Sequence, residues 1–404
     1  MEEPICLLEL SSSGVKLLVG YVYNNIVYVL HAMESTRAKL VRGNIEDKGE
    51  MTIAIKELIN TASNGLKIHI DKVVLVVPSF GLKVYPDKGE TNTTESRVSL
   101  FDATNCETII KKSVARKTKP NEKIFDVNPY EYVLENNVEY SKIPFNTLSD
   151  RLLMYADVLT MEEGLLKNYK SVVTDAGLKI LKVVNAATAA VKFINSSNSN
   201  YAQFIFIDIG ARTTTLGYAT ESRLLNVETL NFGSDDITEA IMNEFGISFE
   251  DANHYKEVYG LCKDPSFMFE TKDHFKLSDL NEVIVKSLEP LVKGIQEFIL
   301  SFDRSAQNVF MITGGGSSLL GLDSFLAKTF KNKVLSYTPV NYGARNRSYA
   351  NLVASVKYYD DCELKNAQSR PSDLTLTRVF DINDLSDDDS QTSELDDETG
   401  EERL

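Results

Sequence analysis

The chain has 404 residues, of which 43% are hydrophobic and 25% are charged, a composition typical of an ordinary globular protein. No apolar run reaches the ~18 residues of a membrane-spanning helix, and the acidic start of the chain is unlike a secretory signal, so we expect a cytoplasmic protein. Eleven acidic residues and one arginine between Asp381 and Leu404 account for most of the net charge of −15; the rest of the chain has no basic surplus, which argues against nucleic acid as a partner.

Strand-like and helical segments alternate along the chain, which predicts a mixed α/β fold. In the first half the predicted strands are Ile5–Leu10, Leu17–Tyr23, Ile26–His31 and Val73–Val77, and the predicted helices are Thr52–Ala62 and Glu162–Ala176. The polar, turn-rich segment Pro86–Ser96 is predicted to be a loop. Residues 100–160 carry strand and helix signals of their own and have the length of an inserted small domain.

The polar segment Ser196–Asn200 is predicted to separate the two halves of the chain. In the second half the predicted strands are Phe204–Asp208, Thr215–Tyr218 and Val309–Ile312, and the predicted helices are Asp236–Glu244, Asp251–Val258, Leu280–Phe302 and Ser324–Phe330. From Ser386 the chain is rich in Asp, Glu and Ser, which predicts a disordered tail. Leu374–Phe380 is the only candidate membrane anchor in the tail region, and it is short for an amphipathic helix.

A duplication is the most informative feature of the sequence. Residues 6–30 and residues 205–230 both begin with an apolar strand that ends in an acidic residue, Glu9 or Asp208. In each copy a short turn of small and hydroxyl-bearing residues follows, and then two further strands separated by a polar turn. A repeat of this unit at ~200-residue spacing predicts two similar lobes that face each other.

The two turns have the chemistry of a phosphate site, because small residues let successive backbone N–H groups face an anion and hydroxyl groups add donors. Glu9 and Asp208 are the candidates for a catalytic role and for holding Mg²⁺ through water. The candidate nucleotide-binding residues in and beside the turns are Ser11, Ser12, Ser13, Gly14, Lys16, Asp208, Gly210, Arg212, Thr213 and Thr214. Either turn alone is also consistent with an ordinary β-hairpin.

A third candidate segment lies in Phe310–Leu319, where an apolar strand runs into three glycines and then an apolar helix. Glycine permits close approach of the backbone to a flat ligand such as adenosine. The candidate nucleotide-binding residues of this segment are Gly314, Gly315, Gly316 and Ser317. Taken alone, the three glycines are also consistent with a simple loop.

The order of these motifs resembles that of the actin, hexokinase and 70-kDa heat-shock chaperone superfamily, and within it the bacterial cell-division family FtsA. Two further segments carry the resemblance. Phe232–Thr238 is similar to the family's Gly-Asp-Ile-Thr turn and adds Gly233 to the candidate site. Ala252–Gly260 is similar to the helix that touches the nucleoside and adds Lys256, although Asn253 stands where Glu is usual.

The segment after Val77-Pro78 resembles the inserted subdomain, called 1C, that distinguishes FtsA from actin, and the pilus-assembly protein PilM shares this arrangement. The resemblance implies an α/β, actin-like (ribonuclease H-like) duplicated two-lobe fold with a small inserted α+β subdomain. Its implied parts are residues 1–81 and 161–197 as the first lobe core (1A), 82–160 as 1C, 198–231 and 306–360 as the second lobe core (2A), 232–305 as the outer subdomain of the second lobe (2B), and 361–404 as a disordered acidic tail.

The resemblance also implies a function. An FtsA-type protein is a cell-division scaffold that binds ATP and Mg²⁺, polymerises head-to-tail into actin-like filaments, and binds the C-terminal peptide of FtsZ and other division proteins at the cytoplasmic face of the membrane. The acidic C-terminus lacks the family's basic amphipathic helix, so direct membrane contact is left open. A PilM-like pilus-assembly platform and a small-molecule kinase on the same fold are the alternatives.

Three departures from the family bear on hydrolysis. Glu9-Leu10-Ser11 replaces the usual Asp-hydrophobic-Gly. Because Glu is one methylene longer than Asp, it would displace the Mg²⁺-bound water that the carboxylate holds. Ala186 lies where relatives carry a residue that orients the attacking water, and Thr215 replaces a frequent Asp. We therefore expect nucleotide binding with slow or absent hydrolysis, at most a weak ATPase.

Overall fold

The computed structural model describes residues 3–198, 201–220, 223–261, 271–273, 275–302 and 309–363, so the predicted acidic tail and the candidate anchor Leu374–Phe380 lie outside it. The strands are β1 Ile5–Leu10, β2 Val15–Tyr23, β3 Ile26–Ser35, β4 Leu40–Val41, β5 Asn44–Ile45, β6 Lys72–Val77, β7 Lys83–Asn92, β8 Glu122–Leu134, β9 Glu139–Tyr140, β10 Arg151–Glu162, β11 Lys179–Asn185, β12 Gln203–Ile209, β13 Thr214–Thr220, β14 Arg223–Leu230, β15 Val309–Thr313 and β16 Val334–Ser336. The helices are α1 Lys48–Leu66, α2 Leu100–Ala115, α3 Glu163–Asp175, α4 Ala186–Asn198, α5 Ser234–Phe245, α6 Phe249–Tyr259, α7 Leu277–Ser287, α8 Glu289–Leu300, α9 Leu322–Phe330 and α10 Ala350–Glu363.

Two five-stranded sheets have the same order of strands. The first runs β11-β6-β1-β2-β3 and the second runs β16-β15-β12-β13-β14. In both, the central strand pairs antiparallel with the next strand of its hairpin and parallel with a later strand on its other side. The duplication predicted from the sequence is therefore present in the topology, and the mixed α/β prediction is confirmed.

The central strand of the first sheet is buried on both faces, which explains its almost continuous apolar sequence. Because side chains alternate along a strand, Ile5 and Leu7 pack into the core between the lobes, whereas Cys6, Leu8 and Leu10 pack into the core on the other face with α1 and α3. Glu9, the second-last residue of the strand, thus lies between two packed layers.

Helices α4 and α10 pack against each other between the two sheets. Small side chains of α4, among them Ala187 and Ala190, meet Val353 and Ala354 of α10 in a core that also contains residues of both sheets. Short side chains allow the helices to approach closely, so this helix pair joins the lobes at the base of the cleft between them.

The prediction of a loop at Pro86–Ser96 is wrong over most of its length, because β7 continues to Asn92 and pairs with β10 along ten residues. Strands β7, β10, β8 and β9 form a third sheet in that order, covered by α2. Pro86 is tolerated because β7 is an edge strand and needs no inward N–H there. Gly89 is required for packing, since a Cβ atom at this position would lie 2.4 Å from the carbonyl oxygen of Cys106 in α2.

The prediction of one helix over Leu280–Phe302 is also wrong. The chain breaks at Leu288 into α7 and α8. Pro290 lies in the first turn of α8, where a backbone N–H would have no partner within the helix. In the middle of one continuous helix the same proline would remove a backbone hydrogen bond.

The third sheet touches both the second lobe and α10. Arg223 of β14 makes two hydrogen bonds to Asp157 of β10, at 2.8 and 2.7 Å, and its guanidinium lies 3.5 Å from the ring centroid of Tyr130. Tyr358 of α10 donates a 2.7 Å hydrogen bond to Asp126 of β8. The third sheet is therefore anchored on both sides of the helix pair.

Candidate nucleotide site between the lobes

The first predicted turn closes between β1 and β2. The backbone N–H groups of Ser11 and Gly14 donate to each other's carbonyl oxygens, at 2.9 and 3.3 Å, and the Ser11 hydroxyl also donates to the carbonyl of Gly14. The hydroxyl of Ser13 lies 2.9 Å from that of Ser11. These short-range bonds give the turn a fixed shape.

The second predicted turn has the same construction between β12 and β13. The N–H of Gly210 donates to the carbonyl of Thr213, and the buried hydroxyl of Thr214 donates to the carbonyl of Phe232. Helix α5 begins against this turn, because Ser234 and Asp235 donate their N–H groups to the turn's carbonyls, and Gly233 immediately precedes the helix. The positive end of α5 therefore lies beside the turn.

The two turns touch each other across the cleft. The backbone N–H of Arg212 donates a 3.2 Å hydrogen bond to the hydroxyl of Ser12. The side chain of Arg212 turns away to Asp235 and Glu239, at 3.0 and 2.6 Å. The predicted phosphate turns of the two lobes therefore lie next to each other. Their positions in the sequence alone did not predict this contact.

The two predicted acids are joined by an asparagine that the sequence did not single out. The side-chain nitrogen of Asn351, in the first turn of α10, lies 3.1 Å from Glu9 Oε1 and 2.9 Å from Asp208 Oδ2. One amide group can donate one hydrogen to each carboxylate. Asn351 therefore connects the end of the central strand in one lobe to the equivalent end in the other.

Burial raises the pKa of both carboxyl groups above their ordinary values. For Glu9, the charge of Lys16 and the hydrogen bond from Asn351 act against burial and lower the pKa, whereas the charge of Asp208 raises it further. Lys16 Nζ lies 3.8 Å from Glu9 Oε2 and donates a 2.9 Å hydrogen bond to the carbonyl of Ser348. The site holds two carboxylates close together with only one nearby lysine to balance them.

Two buried oxygen atoms at this point accept no hydrogen bond, Glu9 Oε2 and Asn351 Oδ1. Buried acceptors require a donor or a cation, so these residues fit the hydrated Mg²⁺ that the sequence predicted at Glu9 and Asp208. The donor set is two carboxylates and one amide oxygen. No group of three or more His, Cys, Asp or Glu side chains that could hold a metal ion occurs in the described part of the chain, so an ion here would depend on two acids, the amide and water.

The three adjacent glycines lie against the second turn. Gly314 has a positive φ of 82°, and a Cβ atom here would lie 2.2 Å from Asp208 Oδ1. Gly315 is exposed, and the hydroxyl of Ser317 donates to the carbonyl of Gly314. Arg347 Nη1 lies 2.6 Å from the carbonyl oxygen of Ser317, which ties the segment to the turn before α10.

Lys256 lies beneath the site. Lys256 is 6% exposed, and its Nζ donates hydrogen bonds to the carbonyl and hydroxyl of Ser234 and to the hydroxyl of Thr238, at 3.1, 3.1 and 2.6 Å. Burial lowers the pKa of Lys256. Its three contacts hold the start of α5 in place, so its predicted contact with a nucleotide needs this arrangement to change.

The region expected to orient an attacking water is engaged in holding α4. Asn185 Oδ1 accepts hydrogen bonds from the N–H and the hydroxyl of Thr188, at 3.0 and 3.1 Å, and its Nδ2 donates to Ser79. Ala186 is buried and apolar. Asn185 acts as the cap of α4, and Ala186 offers no polar group.

Sequence reasoning missed three residues of the site, Asn351, Ser348 and Arg347. They lie in the segment Asn346–Asn351, which includes the first two residues of α10. Local sequence gives no motif here. The available signal was a cluster of polar residues where α10 begins, which is typical of a helix start.

Comparisons with known proteins agree with the sequence resemblance. A family model described as cell division protein FtsA matches residues 205–354. The chain is 22% identical to cell division protein FtsA of Staphylococcus epidermidis, over 86% of this chain and 77% of that protein. It is 23% identical to FtsA of Streptococcus pneumoniae, over 86% and 78%, and 20% identical to FtsA of Bacillus subtilis, over 87% and 82%. The predicted resemblance to FtsA is confirmed.

Solved structures of the same fold extend over almost the whole described chain. The PilM-PilN type IV pilus biogenesis complex matches with a TM-score of 0.62 at 17% identity, covering 87% of this chain and 97% of that one. MreB5 of Spiroplasma citri bound to ADP matches with a TM-score of 0.52 at 13% identity, covering 91% and 99%. At these identities the matches show the fold alone, and the predicted actin-like fold is confirmed. Of the helices that the structure describes, none is long and apolar enough to cross a membrane.

Proposed function

We propose that this chain, an actin-like cell-division protein similar to FtsA over most of its length, binds ATP with Mg²⁺ between its two lobes and assembles into filaments that link FtsZ to the division site. The observation that carries the nucleotide claim is the meeting of Glu9 and Asp208 on Asn351. Equivalent strand ends of a duplicated fold converge there beside two turns suited to phosphate.

The remaining geometry supports a nucleotide in this cleft. The turns Ser11–Gly14 and Gly210–Thr213 supply backbone N–H groups and hydroxyls, and the exposed Gly315 has no side chain to keep adenosine from its backbone. Breaking the hydrogen bond between Ser12 and Arg212 would admit phosphate between the turns. Bound Mg²⁺ would supply positive charge to phosphate oxygens and to the two acids. MreB5 of Spiroplasma citri, which shares the fold, was solved with ADP.

Slow or absent hydrolysis is part of the proposal. Ala186 is buried and has no polar atom to orient a water, and Asn185 is committed to the start of α4. Glu9 is one methylene longer than Asp and is tied to Asn351 and Lys16. The sequence offers no motif for a catalytic Asp base over a second substrate, which also disfavours a small-molecule kinase.

Filament formation is supported by exposed apolar side chains on α2 and on the loop before β10, beside the third sheet. Phe101, Phe145 and Leu148 are 65%, 60% and 67% exposed, and the loop 144–148 pairs with 96–98 next to the start of α2. We propose that this sheet is the FtsA-type 1C subdomain and faces a neighbouring copy in an open head-to-tail assembly. Helices α5–α8 are the proposed 2B subdomain that takes the FtsZ peptide.

The proposed location is the cytoplasmic face of the membrane at the division site. The protein is proposed to reach this place through a partner, such as FtsZ or another division protein, or by an anchor of its own.

Co-sedimentation with FtsZ tests this function. We expect the full chain to pellet with FtsZ filaments and to lose this association when the C-terminal peptide of FtsZ is removed. We also expect ATP with Mg²⁺, but not ADP or EDTA, to increase pelleting of the chain alone. Phe145→Ser with Leu148→Ser should reduce self-assembly and leave FtsZ binding intact, whereas the exposed Val340→Ser on the second half of the chain should change neither.

Failure to bind FtsZ together with failure to assemble would contradict the division function. Binding instead to a short cytoplasmic peptide of a pilus membrane protein would favour the PilM-like alternative.

A further inference from the structure

Asn351 has an arrangement that a purely structural asparagine does not need. Its Nδ2 donates to Glu9 Oε1 and Asp208 Oδ2, while its Oδ1 is buried and accepts nothing. A buried amide normally satisfies its oxygen as well as its nitrogen, because each unmet polar atom costs stability. Asn351 Oδ1 therefore has room in its hydrogen bonding for a donor or a cation.

The second unmet atom lies on the same asparagine's partner. Glu9 is 4% exposed, and its Oε2 accepts no hydrogen bond, with Lys16 Nζ at 3.8 Å. Lys16 itself donates to the carbonyl of Ser348, two residues before α10. One carboxylate oxygen and one carbonyl oxygen thus share one ammonium group, and the site is short of positive charge.

Packing on the other side fixes the second acid. Gly314 leaves so little space that any side chain there would collide with Asp208 Oδ1. Asp208 is accordingly held between Gly314 and Asn351. The two carboxylates would repel each other in this buried place, and the Asn351 amide is what holds them at one spacing.

We propose that Asn351 is the positioning residue of the cation site, and that it makes nucleotide binding depend on a divalent cation by holding both acids and offering its side-chain oxygen to the hydrated ion. This inference rests on the proposed nucleotide site and adds a residue from α10 to it. A water or a hydrated Mg²⁺ is the donor that Asn351 Oδ1 and Glu9 Oε2 both lack. Asn351 also links the cation site to α10, the helix that packs between the lobes.

The test measures the Mn²⁺ affinity of the full chain and its variants. Electron paramagnetic resonance, in the presence of ATP, detects the bound Mn²⁺. Asn351→Leu removes both the donors and the oxygen, and we expect Mn²⁺ affinity to fall by about 10- to 100-fold, as for other residues that orient metal ligands. Asn351→Asp keeps an oxygen and adds a charge, so we expect Mn²⁺ affinity equal to or above that of the wild type.

A second readout separates positioning from a general structural role. The dissociation constant of a fluorescent ATP analogue is measured in Mg²⁺ and in EDTA. Asn351→Leu should lose affinity mainly in Mg²⁺, and Asn351→Asp should lose affinity mainly in EDTA, where a third carboxylate has no cation to balance it. Ser355→Ala is the control, because its hydroxyl donates only to the Asn351 carbonyl one turn along the same helix, and it should behave as the wild type.

The outcomes distinguish the two proposals. If the wild type binds no nucleotide with or without Mg²⁺, the proposed function fails and this inference fails with it. If the wild type shows Mg²⁺-dependent binding and both Asn351 variants keep the same dependence, only this inference is overturned. Equal losses in Mg²⁺ and EDTA would assign Asn351 a structural role and overturn it as well. If Asn351→Leu fails to fold, Asn351→Asp tests the inference alone. Its Mn²⁺ affinity should equal or exceed that of the wild type, and its affinity for the ATP analogue should fall mainly in EDTA.

Discussion

Gly314 and Gly315 are neighbours in the sequence but have opposite surroundings in the structure. At Gly314 the backbone has a positive φ, and an added Cβ would meet Asp208 Oδ1 at 2.2 Å and the carbonyl oxygen of Ile209 at 2.5 Å. At Gly315 the nearest atom to an added Cβ is Ser348 Cβ at 3.7 Å, an ordinary contact. Only Gly314 is required by the backbone.

We expect Gly314→Ala to destabilise the protein by about 1–3 kcal/mol, because alanine at positive φ is strained and the backbone of β12 cannot yield easily. Urea unfolding monitored by circular dichroism measures the change. Gly315→Ala is the matched control and should stay within about 0.5 kcal/mol of the wild type. Equal stability of both variants would show that the close approach of Gly314 to Asp208 does not exist.

The sequence was sufficient to place Glu9 and Asp208, since both end apolar strands of a repeated unit. It could not place Asn351, which has no counterpart in the repeat and meets the acids only after both lobes and α10 have packed. It also could not separate Gly314 from Gly315, because that difference depends on what lies beside each residue. The assignment of these residues to a nucleotide stays a prediction.

Glu122 ties three strands of the third sheet together. Oε2 of this β8 residue lies 2.7 Å from Lys83 Nζ of β7, and Oε1 accepts from the hydroxyls of Tyr85 and Thr160, at 2.9 and 2.5 Å. Burial alone would raise the pKa of Glu122, but the hydrogen bonds from Lys83, Thr160 and Tyr85 lower it to about 2. The ionised carboxylate therefore stabilises the sheet.

A pH titration of stability tests this role. Because the folded pKa lies below the unfolded value, Glu122 stabilises the protein above pH 4.5 and loses this contribution as the pH falls toward 2. Glu122→Gln should cost about 2–3 kcal/mol at neutral pH, and its difference from the wild type should shrink below pH 4.5. Glu139→Gln, at an exposed position of β9, should show neither effect. A cost for Glu122→Gln that does not change with pH would contradict the assignment.

At the scale of elements, periodicity predicted strands and helices well where a long apolar pattern is present. It failed at Pro86–Ser96 because polar residues there face solvent on an edge strand, and pairing with β10, not local propensity, makes the strand. It failed at Leu280–Phe302 because two adjacent helices with the same apolar face resemble one long helix, and Pro290 was the signal of the break.

The described part of the molecule contains two copies of one sheet. The contacts that join them include the helix pair α4 and α10, the hydrogen bond between Ser12 and Arg212, the hydrogen bonds of Asn351 to Glu9 and Asp208, and the contact of Arg223 with Asp157. The first and second sheets have the same strand order, which the repeat in the sequence predicted. The third sheet interrupts the first copy after β6, whereas α5–α8 interrupt the second copy before β15, so the lobes differ in their outer parts.

A nucleotide is proposed to bind between the lobes, at acids contributed by both copies of the repeat. The most direct test is the dissociation constant of ATP, in Mg²⁺, for the wild type, Glu9→Ala, Asp208→Ala and the double variant. We expect each single substitution to weaken binding by about tenfold or more, and the double variant to lose less than the sum because both acids share Asn351. Unchanged affinity in both single variants would contradict the claim.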